Sequence, residues 1–187
     1  MFMEGKNVNL LALNINHIEL YQKWRNNPKV RKYNPTYFPL TIENIKSWFD
    51  VKEGLQDKIN FEIWHKIDNI PIGLIGFMDI NWISRNGVIY IIIGEPDYWG
   101  KGIATESHKL LIKYGFNDLN FHRILAYINA NNKASIRAIE KAGLVYECQL
   151  KQITYINGQY DDVNIYGLLK NIFKIKKEGK KGINIKY

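Results

Sequence analysis

Gly100-Lys101-Gly102 lies between an apolar, β-branched run, Val88–Ile93, and a segment where Ile103, Ser107, Leu110, Leu111 and Tyr114 recur at helical spacing. Strand, glycine loop, helix is an arrangement that attracts anions. The first amides of a helix lack backbone partners and carry the positive end of its dipole. Glycines at 100 and 102 let the backbone curl tightly and approach a bound group closely. The chemistry on offer is a grip on phosphate, with a merely tight turn as the competing reading. Two common phosphate loops do not fit. A Walker loop needs GxxxxGK before Ser or Thr, but Gly102 follows Lys101 and Gly94 stands one residue too far away. Thr105 occupies the place of the third glycine of GxGxxG.

The elements that must position this loop can be read around it. Asn7–Leu13 alternates as a strand, and Asn16–Arg25 carries Ile18, Tyr21 and Trp24 at helical spacing before Pro28. Thr41 caps a short helix with Ile42, Ile45, Trp48 and Phe49 on one face. Ile59–Ile67 and Ile70–Ile80 pair around Asp68-Asn69. Arg123–Asn129 is a strand, Lys133–Ala142 a helix closed by Gly143, and Leu144–Tyr155 with Tyr160–Leu169 a hairpin turned at Asn157-Gly158. Early hairpins and later crossover helices predict a mixed α/β sheet that takes a ligand where it changes direction.

Composition narrows the class. The 187 residues suffice for one domain and are too few for two ordinary ones. The single cysteine, Cys148, leaves no internal disulfide, fits a reducing cytoplasm, and reads as a small buried thiol. No apolar run reaches the ~20 residues of a membrane span, and no signal-peptide stretch opens the chain, so a cytoplasmic soluble protein without a membrane partner is expected. The net charge of +8 suits an anionic ligand. Much of it lies in a basic tail, 173–187, after a single domain over 1–172. A nucleic-acid binder would interleave basic and aromatic residues on one element, and only Trp24–Tyr33 resembles that.

Trp99-Gly100-Lys101-Gly102-Ile103-Ala104 is similar to the pyrophosphate loop of the GNAT acyltransferases, except that Trp99 replaces a polar residue. The stretch INANNKASIRAIEKAG (Ile128–Gly143) resembles the same superfamily's strand, asparagine and helix. YWGKGIATE, WRNNPKVRKY and the closing hairpin, Leu150–Leu169, resemble its RimJ/RimL branch. The resemblance covers roughly residues 5–170. It implies a mixed, mostly antiparallel twisted sheet with splayed central parallel strands flanked by helices. It also implies transfer of an acetyl group from acetyl-coenzyme A to a primary amine by direct attack on the thioester.

By that resemblance the cofactor arm lies between Val88–Ile93 and Arg123–Asn129, touching Ile91, Ile92, Ile93 and Asn129, with pairing ended by Pro96. The pyrophosphate falls to the amides of Gly100, Lys101, Gly102, Ile103 and Ala104, with Lys101 a flanking charge, and Trp99, Thr105, Asn132 and Ser135 also contact the cofactor. Asn132 reads equally as a helix cap. Ser135 matches the serine offered to the leaving thiolate, against a bland reading as a helix-surface hydroxyl. The catalytic positions of the family hold Val88, Thr154 and Ile139, none of which can act as acid or base. Glu95, Tyr90, Asp79 and His122 are the remaining base candidates, with Glu95 preferred through a water. Arg25, Asn26, Arg31, Tyr33 and Tyr37, with Phe38, are expected to bind the acceptor. The absence of a carboxylate there favours a protein N-terminal α-amine or an amino sugar over a polyamine or aminoglycoside. A non-catalytic acetyl-coenzyme A-binding module is the other alternative. The edge of the closing hairpin offers a face to a second copy, as in a homodimer.

Overall fold

A computed structural model describes residues 2–33, 38–49, 56–156 and 158–177, with side chains through 173. Eight strands form one sheet in the order β1-β2-β3-β4-β5-β6-β8-β7. They are β1 (Met3–Glu4), β2 (Val8–Ala12), β3 (Ile59–His65), β4 (Ile70–Asn81), β5 (Asn86–Ile93), β6 (Arg123–Asn129), β7 (Val145–Ile156) and β8 (Gln159–Leu169). Every pairing is antiparallel except β5 with β6. That parallel ladder has three pairs, Asn86–Arg123, Gly87–Ile124 and Val88–Leu125. Beyond it the strands part, so Ile89–Ile93 keep only β4 and Ala126–Asn129 only β8. The split opens at Ile89, well before Pro96, which instead begins a 3-10 turn after β5 has ended.

Five helices flank the sheet among the described residues: α1 (Ile18–Asn26), α2 (Ile42–Lys46), α3 (Ile103–Asn117), α4 (Lys133–Ala142) and α5 (Lys170–Lys177). The larger core packs α3 and α4 on one face, through Leu111, Phe116, Phe77, Ile124 and Ile139. A smaller one seats α1 and α2 on the other, through Tyr21, Trp24, Ile45 and Leu74. Gly94 lets Trp24 lie against the end of β5, since a Cβ there would meet the Trp24 ring at 2.1 Å. Glu62, 1% exposed, fastens α1 from beneath. It accepts from Trp64 Nε1 at 2.6 Å and from the Tyr21 hydroxyl, and meets His17 Nδ1 at 2.5 Å.

The Thr41 cap forms with Asn44 as a reciprocal capping box. Two expectations are corrected. Cys148 is exposed rather than buried, because β7 is the sheet's outer strand and its register slips between Tyr146 and Cys148. Helix α5 runs past residue 172, where the tail was expected to begin, because Ile172 and Phe173 pack against the core. Gly158 has the left-handed φ of +83° that the closing turn needs, while Asn157 lies outside the described residues. No helix among those residues is long and apolar enough to cross a membrane. None of their His, Cys, Asp and Glu side chains cluster as a metal site.

Candidate active site

The glycine loop is built as its residue types demand. Gly100 and Gly102 have φ of +75° and +79°, and an ideal Cβ on either would find nothing within 4 Å. The loop's inner side is therefore open. Gly102 caps α3 without a side-chain acceptor, so the first-turn amides are left facing the loop. Trp99 works differently from the polar residue it replaces: its Nε1 donates to the Ile93 carbonyl at 3.0 Å, tying the loop to the end of β5. Tyr98 is held by its hydroxyl, 2.5 Å from Asp68 Oδ2.

A cavity of about 510 Å³ runs from this loop along the unpaired end of β5 and beside α4. Among the residues expected from sequence it gathers Ile91–Ile93, Trp99, Gly100, Gly102–Thr105, Asn132, Ser135 and Tyr33. Asn132 accepts from the Ser135 amide at 3.1 Å, so the helix-cap role is realised on the cavity wall. Sequence reasoning missed Lys29, Lys32, Tyr98, Arg137 and Lys141, which line it too. Arg137 and Lys141 lie four residues apart on α4, one turn of a helix, and that spacing was a readable signal.

A second chamber of about 130 Å³ adjoins the first and shares Ile91, Asn132 and Ser135 with it. Val88, Tyr90, Asn129, Ile139 and His108 are among its walls. Two of the three inert family positions, Val88 and Ile139, thus meet in one place. Thr154 lies apart and donates to the Asp161 carbonyl at 3.2 Å.

Several expected site residues are committed elsewhere. Asn26 grips Leu40 at both main-chain atoms, donating at 2.8 Å and accepting at 2.9 Å, which pins the chain after α1 rather than reaching toward an acceptor. Glu95 accepts from Trp24 Nε1 at 2.8 Å and lines neither cavity, because the Gly94–Trp24 contact brings the indole to it. Lys101 stands over the Tyr98 ring at 5.3 Å, outside the cavity. The Asn129 amide donates to Asp161 Oδ2 at 2.8 Å, and its carbonyl accepts from the Asn131 amide. Arg31 is exposed in the turn after α1, and Tyr37 lies outside the described residues.

Of the base candidates only Tyr90 reaches a chamber wall. Its hydroxyl donates to Asn60 Oδ1 at 2.5 Å, and burial pushes the phenol up, with the nearby Arg25 guanidinium pulling the other way. A neutral phenol donates; it is not a ready base. Asp79 sits on a β4 bulge with φ of +51° and is exposed, and His122 is exposed at the start of β6.

Comparison with known proteins adds to this geometry. The family described as an acetyltransferase (GNAT) domain matches residues 7–145. The SPbeta prophage-derived uncharacterized N-acetyltransferase YokL of Bacillus subtilis is 28% identical over 177 residues, 93% of this chain and 96% of that protein. Spermidine N(1)-acetyltransferase of Escherichia coli K12 is 37% identical over 93 residues, 50% of each chain. The chain therefore spans half the length of that relative. The crystal structure of spermidine N-acetyltransferase from Vibrio cholerae, in complex with CoA and spermine, superposes with a TM-score of 0.81 at 24% identity. The match covers 91% of this chain and 99% of that one, and shows the same fold. These relatives carry the superfamily and not its RimJ/RimL branch in particular.

Proposed function

We propose, from the premise that this chain belongs to the GNAT acetyltransferase family, that it moves an acetyl group from acetyl-coenzyme A to a primary amine of a small polyamine. The observation that carries the reading is the cavity that joins an open glycine loop to an unpaired strand edge. Acetyl-coenzyme A supplies an activated acyl carbon and a thiolate leaving group. The residues present fit it. Gly100, Gly102 and the amides of Ile103–Thr105 would hold the pyrophosphate, with Arg137, Lys141, Lys29 and Lys32 supplying counter-charge. The free edge of Ile91–Ile93 would take the amides of the cofactor arm in place of a strand.

The acceptor approaches from the face that carries α1. The β5–β6 register puts Tyr90, Tyr127 and Asn129 on one face, and Arg25 of α1 lies beside Tyr90. The absence of a carboxylate in 24–38 was the ground for preferring a peptide N-terminus or an amino sugar. Carboxylates on this side come from elsewhere in the chain: Glu95 against Trp24, and Asp161 against Asn129. The spermidine acetyltransferases among the relatives favour the polyamine in the same direction.

The test is free-thiol release from acetyl-coenzyme A with spermidine and spermine, run beside N-terminal peptides, amino-sugar nucleotides and aminoglycosides. Polyamine-dependent release above the other acceptors supports the reading. Release with peptides or sugars alone would overturn the acceptor and leave acetyl transfer standing. Absence of coenzyme A binding would overturn both.

A further inference from the structure

His108 projects from α3 into the core, where helical periodicity calls for an apolar residue: its neighbours at 103, 111 and 112 are Ile103, Leu111 and Ile112, all buried. It is 2% exposed, and its Nδ1 finds no hydrogen-bond partner among the described residues. A buried polar atom without a partner is uncommon and points to a group that arrives later, a water or a ligand. The imidazole lines the smaller chamber with Ser135, Ile139, Val88 and Tyr90, and that chamber adjoins the larger cavity, with Ile91, Asn132 and Ser135 as walls of both. At about 130 Å³ it has room for water as well as for part of a ligand. Among the described residues the only other titratable side chains on its walls are Tyr90 of β5 and Tyr127 of β6, and α4 with its cap presents Asn132, Ser135 and Ile139.

We propose that His108 is a catalytic residue that carries a proton to the sulfur of the departing coenzyme A; the inference rests on the acetyl-transfer reading above. The amine lone pair forms the C–N bond at the acyl carbon, and the C–S pair leaves with sulfur. The imidazole lone pair takes, through chamber water, the proton shed by the amine nitrogen. The imidazolium then gives a proton to the thiolate, so the ring ends neutral, as it began. Dry surroundings hold the free imidazole in its neutral form, with a pKa lowered to about 4. A thiolate alongside favours the charged form, so the ring becomes basic when sulfur needs a proton. His108 thereby supplies what Val88 and Ile139 cannot.

The experiment uses full-length protein labelled at the histidine ring carbons, with His108 assigned by the signal lost in His108→Gln. That signal should titrate well below the ordinary range of an imidazole in the free protein. At neutral pH, where the coenzyme carries a thiol, coenzyme A should move the chemical shifts of that ring, and desulfo-coenzyme A should not. Kinetically, His108→Gln and His108→Leu should lower kcat by about 30-fold or more, within the range of general acid–base effects. Coenzyme A affinity and the KM for acetyl-coenzyme A should stay within about threefold. The Gln variant, which keeps a polar group in the chamber, guards against a Leu variant that fails to fold. Equal responses to the two ligands, no response, or an unchanged kcat in His108→Gln with binding intact would overturn the proposal while the acetyl-transfer reading stands. Wild-type protein that does not bind coenzyme A would overturn both.

Discussion

Replacing Gly102 by alanine separates what the glycine loop needs for its shape from what it needs for its ligand. At φ of +79° an L-residue is strained by about 1–2 kcal/mol, and the loss of unfolded-state freedom returns about 0.4–1 kcal/mol. No heavy atom lies within 4 Å of the added Cβ, so no clash adds to this. The expected net loss is about 1 kcal/mol, a fall in Tm of roughly 2–4 °C for a chain of this size. The methyl group, however, stands on the open side where phosphate oxygens would meet backbone amides. Losing one charge-assisted hydrogen bond there costs about 1.5–3 kcal/mol, or roughly tenfold to a hundredfold in the Kd for coenzyme A. Gly102→Asn, which tolerates the left-handed conformation, should recover the stability and keep the binding defect. Gly143→Ala, at φ of +114° beyond the end of α4 and likewise unobstructed, should lower Tm and leave the Kd alone. Calorimetric titration with coenzyme A and a thermal melt on each variant decide it. A Gly102→Ala protein that binds coenzyme A within threefold of wild type would refute the placement of the phosphates on this loop.

Two further predictions concern buried polar groups. Glu62→Leu removes the acceptor of the Trp64 indole and leaves the Tyr21 hydroxyl only its bonds to the Asn14 main chain, and should reduce stability by about 2–4 kcal/mol in urea denaturation, against about 1–2 kcal/mol for Tyr21→Phe. Stability should also fall between pH 6.5 and about 4 in a way that depends on His108. The folded state holds that imidazole neutral to about pH 4, while the unfolded chain binds a proton from about pH 6.5 downward, so acidification favours unfolding. The His108 contribution is intact above about pH 6.5 and is lost as pH falls to about 4, with a slope approaching 1.4 kcal/mol per pH unit. Denaturant midpoints across that range should lose this slope in His108→Leu, and an unchanged slope would contradict the burial argument.

What the sequence made legible was local. Strand Arg123–Asn129 and helix Lys133–Ala142 fall on the expected residues, because Asn132 and Gly143 mark the helix ends and the strand is a short apolar run. The glycine loop was legible for the same reason. What escaped depends on partners distant in the chain. Glu95 is drawn to Trp24, 71 residues away, and Asn26 to Leu40, 14 away, and nothing in either neighbourhood foretells it. The strands part at Ile89 rather than at Pro96, and side chains from α3 and α4, among them His108 and Ile139, line the gap, a contact between elements that no local pattern foretells. Cys148 reads as apolar by its neighbours, yet lies on the outermost strand. His108 carried a signal that was overlooked: a histidine within a run that packs inward.

The three-pair ladder between β5 and β6 divides the sheet into two arcs, β1–β5 and β6–β8, and α3 and α4 bridge them through the core. Such a seam is where cooperativity is weakest, since only a few main-chain bonds must break for the arcs to move apart. The amides of Ile89–Ile93 and Ala126–Asn129 that point into the gap should therefore exchange with solvent faster than those bonded to β4 and β8. A molecule lying in the gap would bond to both sides at once and merge two exchange units into one. A slit that takes a ligand would thus also be the joint that the ligand closes.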